Sequence, residues 1–171
     1  VNLERRRVEA ELVGISLAVG AGRACYIPLQ HVSEMPVAAA SQSNLFDAPV
    51  STEKKLLPGQ LSLERALALL APLLTHPGVL KVGHNIKYDL VVLAKYGVSI
   101  APLGDTMLMS YCLSGGLHGQ GLDFLAERHF GHKMISFSDV CGTGKQQKNF
   151  AEIDLEAATH YAAEDADFTL R

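Results

Sequence analysis

The sequence predicts an α/β fold, with a mixed β-sheet flanked by helices. Three observations predict it. Two apolar stretches near the start flank a turn marked by Gly20 and Gly22, which reads as an antiparallel hairpin. Short apolar strand patterns then alternate with helical patterns, which reads as parallel strands joined by helices. The C-terminal part is helical pattern alone.

Residues 11–20, ELVGISLAVG, form the first predicted strand and 23–29, RACYIPL, the returning one. Residues 30–60 hold Pro36, an alanine run, Pro49, Lys54-Lys55 and Pro58-Gly59, and read as mostly loop. Ser62 caps a helix over 63–75 whose apolar face is Leu63, Ala66, Leu67, Leu70, Leu73 and Leu74, with Pro72 kinking or ending it. VLKVG (79–83) is a short strand. A helix over 86–96 follows, with Asn85 as its N-cap and Gly97 as its stop. VSIAPL (98–103) is another strand, and Asp105 opens a helix that stops near Gly115. Residues 122–130 make a helix ended by Gly131, residues 138–149 a polar loop, and Asp154 caps the last helix. One domain spans residues 1–171.

Composition narrows the function. Of the 171 residues, 48% are hydrophobic and 19% charged, and no apolar run reaches the ~20 residues of a membrane helix. Cys25, Cys112 and Cys141 have no metal-ligand spacing and are odd in number, so a reducing, cytoplasmic compartment is expected. A net charge of −3 argues against coating long duplex DNA, but not against gripping a few nucleotides. The seven histidines lack zinc-site spacing and read as surface or core-edge residues. Gly142-Thr143-Gly144-Lys145 lacks the full phosphate-loop pattern, because Gln146 follows the lysine. The chain has no start methionine and ends on DADFTLR without a C-cap glycine, so it reads as a piece of a longer protein.

The candidate chemistry lies in acids on two helices. Tyr161 and Asp165 are one helical turn apart, with Ala162, Ala163 and Ala166 leaving room around them. Asp89 sits in the first turn of the helix after Asn85. Either acid alone reads as a solvated surface carboxylate, and the run Glu164, Asp165, Asp167 as a solvated acidic face. Together, with Asp105 and Asp123 between them, they supply hard oxygen ligands of the kind Mg²⁺ and Mn²⁺ prefer. Tyr88, Phe124, Phe137 and Phe150 are available to stack on bases, although a core role suits each.

The segments GHNIKYDLVVLAKYG, DTMLMSYCL, LAERHFGHK, GTGKQQKNFAEI and YAAEDADFTL, in that order, together resemble the 3′–5′ proofreading exonuclease domain of bacterial DNA polymerase I. This is the tyrosine-bearing branch of the DEDD exonucleases. The resemblance covers nearly the whole chain and implies a ribonuclease-H-like sheet and a two-metal mechanism. Asp165 would hold one metal tightly and Asp89 would support the second. Tyr161 would orient the attacking water and Asn85 would hold the substrate end. Tyr88, Lys145 and Lys148 are further candidates for contact with the strand. The implied cofactors are two divalent ions, Mg²⁺ or Mn²⁺, or Zn²⁺ at one site. The implied partners are a single-stranded DNA 3′ end and a polymerase domain of the same parent chain, in the bacterial nucleoid, with no membrane.

One departure matters. The family's first motif, Asp-x-Glu on the first strand, is absent, and Glu4 and Glu9 lie too close to the next strand to replace it. The chain is therefore expected to lack that strand, and the fragment to be inactive on its own. Two other readings remain: a catalytically silent scaffold or DNA-binding module of a polymerase, and a stand-alone RNA-trimming exonuclease.

Overall fold

The computed structural model describes residues 10–36 and 52–171. The predicted hairpin forms as β1 (Gly14–Gly20) and β2 (Arg23–Pro28), antiparallel, with Ile15 opposite Ile27 and Leu17 opposite Cys25. Gly22 turns the chain at a φ of 69°, a conformation that favours glycine. Gly14 is needed for space: a Cβ there would lie 2.2 Å from the Tyr26 hydroxyl.

The stretch 30–60 is not simply loop. β3 (Val32–Pro36) pairs antiparallel with β4 (Thr52–Leu56), a ladder that prolines at 36 and 49 and two lysines gave little reason to expect. The Ala run and Pro49 lie outside the described residues, as do Glu4 and Glu9.

Helix α1 (Leu63–Leu74) starts where expected, with Ser62 Oγ accepting from the Arg65 amide at 3.4 Å. Pro72 lies inside it without ending it. Ala66, Leu67 and Leu74 are buried, whereas Leu73 is exposed. β5 (Lys81–Gly83) runs parallel to β6 (Leu103–Asp105), and helix α2 (Lys87–Ala94) connects them. The predicted strand 98–103 is thus displaced: only its last residue pairs. Helices α3 (Thr106–Ser114) and α4 (Leu122–Phe130) each end on a left-handed glycine, Gly115 and Gly131. The expected polar loop contains a short helix, α5 (Phe137–Cys141), and two 3-10 turns, Gly144–Gln146 and Phe150–Glu152. Ser136 and Asp139 form a capping box that sets α5. Asp154 caps the long helix α6 (Leu155–Leu170), accepting from the amides of Glu156 and Ala157.

The strands do not join into the single mixed sheet expected from sequence. Among the described residues they form three separate two-stranded ladders. Helix α6 bridges two of them, packing on β1 and β2 and touching β5. Its close approach is possible because Ala158 and Ala162 are buried at the contact. The main core lies between the hairpin and helices α1 and α2: Leu12, Leu29, Ala66, Leu67, Val92 and Leu93. Two smaller clusters secure α6, one on Ala126, Met134 and Phe168, the other on Cys141, Ile153 and Ala158.

Candidate active site

Parallel strands β5 and β6 end at the same level, with Gly83 paired to Asp105, so the helices that follow both begin there. The intervening turn Gly83-His84-Asn85-Ile86 leads into α2. Asn85 takes a left-handed φ of 56° and its carbonyl accepts from the Tyr88 amide at 3.0 Å. It is therefore not the side-chain cap expected; Ile86 occupies the N-cap position, and no side chain caps this helix. The Asn85 side chain makes no hydrogen bond among the described residues.

Asp105 also departs from expectation. Its carboxylate was counted among free oxygen ligands, but it is buried and accepts from four amides. Oδ1 takes those of Asn85 (3.1 Å), Met107 (2.9 Å) and Leu108 (3.3 Å), and Oδ2 takes that of Ile86 (3.1 Å). Thr106 Oγ1 meets His84 Nδ1 at 2.9 Å and donates to the Gly83 carbonyl at 3.4 Å.

Asp89 stands in the first turn of α2. The residue is exposed, yet the protein packed around its carboxyl pushes it up to about 6, with the charge of Asp105 adding to the rise. Asp165, half-buried on α6, is likewise pushed up to about 6 by burial, against a lowering hydrogen bond from Tyr161. The nearby Glu164 and Asp123 raise it further. Burial, and then the charge and hydrogen bond of Asp165, hold the Tyr161 hydroxyl protonated far above the ordinary tyrosine range. His84 is kept neutral by burial although Asp105 and Asp123 pull the other way. Asp123, in the first turn of α4, thus influences His84, Tyr161 and Asp165 together, while Asp105 influences His84 and Asp89. Charge effects link the two acid-bearing helices through these residues.

Neighbouring acids do different work. Glu164 is not a solvated surface acid: Oε1 pairs with His132 Nε2 at 2.8 Å and Oε2 accepts from the Ile135 amide at 2.7 Å. Asp167 is buried, accepting from the Gly22 amide at 2.6 Å and pairing with Arg171 at 2.9 Å. His31, expected at a surface or core edge, is fully buried, with Nε2 2.8 Å from the Tyr26 hydroxyl. His160 is exposed, 3.9 Å from Glu156.

A cavity of about 610 Å³ opens beside the entry to the hairpin, lined by Ala10, Glu11 and Val13 together with Tyr88 of α2, Phe137 of α5 and the segment 147–151. Tyr88 is next to Asp89 in sequence; neither Asp89 nor Asp165 lines the cavity. Phe137 lies edge-on to Tyr161, ring centres 6.2 Å apart, and Phe150 lies 5.8 Å from it. The core role favoured for the aromatics from sequence fails for three of them: Tyr88, Phe124 and Phe137 are exposed. Lys145 is exposed in its 3-10 turn and is not part of the lining. The cavity and the Glu164 bridge were not foreseen, since both join residues far apart in sequence.

Neither Asp89 nor Asp165 pairs with a cation among the described residues, and their charged neighbours are acids. Their oxygen chemistry suits a divalent ion. Among the described residues, however, no three His, Cys, Asp or Glu side chains cluster closely enough to hold one.

Two acids thus lie without counter-charges among the described residues, one of them beside a tyrosine hydroxyl. The chain belongs to the 3′–5′ exonuclease family, whose sequence model matches residues 2–171. It is 40% identical over 96% of its length to DNA polymerase I of Rhizobium leguminosarum and 42% identical over 95% to DNA polymerase I of Pseudomonas aeruginosa. It is 34% identical over 96% to DNA polymerase I of Chloroflexus aurantiacus. The chain spans 16% of the length of each of the first two relatives. No helix among the described residues is long and apolar enough to cross a membrane.

Proposed function

We propose that this chain is the proofreading domain of a bacterial DNA polymerase I and removes nucleotides from single-stranded 3′ ends by phosphodiester hydrolysis. The observation that carries this is the pair Asp89 and Asp165, two acids with raised protonation and no cationic partner among the described residues, with the Tyr161 hydroxyl beside the second. Tyr88 and Phe137 stack on unpaired terminal bases, and Lys148 and Lys145 meet the backbone charge. The free amide of Asn85 holds the strand end. Asp89 and Asp165 are the residues that would hold a divalent cation, Mg²⁺ or Mn²⁺. Such an ion supplies positive charge that favours ionisation of the attacking water and offsets charge on the phosphate oxygens. Tyr161, kept protonated, orients that water with its hydroxyl, while its hydrogen bond keeps Asp165 in place.

The remaining ligands belong on a strand between β1 and β5, completing a ribonuclease-H-like sheet. Among the described residues both strands are paired on one side only, and both lie against α6, which supports that placement. On this reading the polymerase domain of the parent chain is the partner, and the protein works in the cytoplasm at the nucleoid.

The test is Mg²⁺-dependent shortening of oligo(dT) by the full chain that carries these residues, with release of mononucleotides. Asp165→Ala should lower kcat by ~10³-fold or more, and the 171 residues alone should show little or no digestion. Unchanged turnover in Asp165→Ala would defeat the reading. Equal consumption of oligo(U) would instead mark an RNA-trimming enzyme.

A further inference from the structure

We propose that Asp105 and Thr106 form a positioning clamp that aims the Asn85 side chain at the strand terminus. The inference rests on the reading of Asn85 as the residue that holds the 3′ end. A helix N-cap needs only the amides of its own first turn, here Met107 and Leu108. Asp105 reaches beyond them to the amides of Asn85 and Ile86 on the neighbouring turn. Thr106 fixes the same turn at two further points, the His84 ring and the Gly83 carbonyl. Six contacts from two adjacent residues thus serve α3 and the entry to α2 together.

Asn85 stands where the hold acts. Its φ of 56° lies in the left-handed region, which asparagine enters more readily than other side-chain-bearing residues, and the bonds on its amide and on the Ile86 amide keep it there. The clamp meets Asn85 at its backbone amide alone and holds the residues on either side of it, and the Asn85 side chain stays unbonded among the described residues. Gly83 lets the turn close: a Cβ there would come within 2.8 Å of the Ile86 side chain. A carboxylate buried in this place, with both oxygens spent on amides, therefore sets the direction of a ligand-facing amide one turn ahead of Asp89. Asp105 and Thr106 touch neither substrate nor reacting atoms, so they are positioning residues.

The test is a double-mutant cycle on oligo(dT) hydrolysis by the full chain that carries these residues. Asp105→Ser keeps a short oxygen for the α3 amides but cannot reach Asn85 and Ile86. Asn85→Ala removes the aimed group. Each single variant should raise KM by ~10-fold, and the double variant should be no worse than Asn85→Ala, because both changes remove one effect. Additive effects, or an unchanged KM in Asp105→Ser, would overturn the clamp while leaving the Asn85 reading intact. An unchanged KM in Asn85→Ala would remove that reading and the clamp with it. Amide hydrogen exchange in the unaltered chain gives an independent reading should the serine variant fail to fold. The Asn85 and Ile86 amides should exchange as slowly as those of the β5–β6 ladder, and exchange at loop rates would overturn the proposal.

Discussion

Asp165 and Glu164 are adjacent residues with opposite roles, and their partners decide which is which. Glu164 has its oxygens bonded to His132 and Ile135, whereas Asp165 meets only a tyrosine hydroxyl and other acids. A carboxyl raised to about 6 in the fold, against an ordinary value of 3.8, makes folding prefer the protonated form. Its stabilising contribution is full below pH 3.8 and is lost as pH rises through about 6. In the absence of divalent ions, Asp165→Asn should remove that loss and stabilise the chain at pH 7 by about 1–2 kcal/mol, discounted for solvent reach. Denaturant midpoints at pH 4 and pH 7 check it: the variant should gain at the higher pH only. From the sequence, the spacing of Tyr161 and Asp165 was readable because helix geometry is local. The commitment of Asp105 to four amides was not, since two of its donors come from a turn about twenty residues earlier.

At the scale of elements, the linker between α4 and α6 shows how one side chain can tie a segment to the helix that follows it. Glu164 binds this linker at both His132 and Ile135, His132 stacks on Phe168 at 4.4 Å, and α5 with Phe137 follows directly. Glu164→Ala leaves the Ile135 amide without its acceptor. It should cost about 1–3 kcal/mol in denaturant unfolding, with loosened packing of Phe137 on Tyr161 visible as broadened aromatic resonances. A midpoint equal to that of the unaltered chain would show that the bridge contributes nothing. The helices were legible because their caps are encoded nearby, Ser62, Asp154, Gly115 and Gly131 among them. The β3–β4 ladder was not, because its pairing is settled by a partner some twenty residues away rather than by the composition between. β6 was placed a few residues early for a related reason: Val98 and Ile100 pack against the hydrophobic core, while the ladder begins at Leu103.

At the scale of the molecule, two ladders lie against one helix, and among the described residues β1 and β5 are each bonded on a single side. Unpaired edges invite pairing with other chains. The 171 residues alone should therefore self-associate with rising concentration, as light scattering would record, and the full chain that carries them should not. The fold class and the two acid-bearing helices could be inferred from hydrophobic period and motif order; the separation of the ladders could not, because no local pattern records which strands fail to meet. That separation has a mechanical consequence. Helix α6 spans both ladders, and Ala158 and Ala162 are buried on it. The girth of those two methyl-bearing positions acts as a caliper: thicken either, and the helix must stand off from the strands on which it rests.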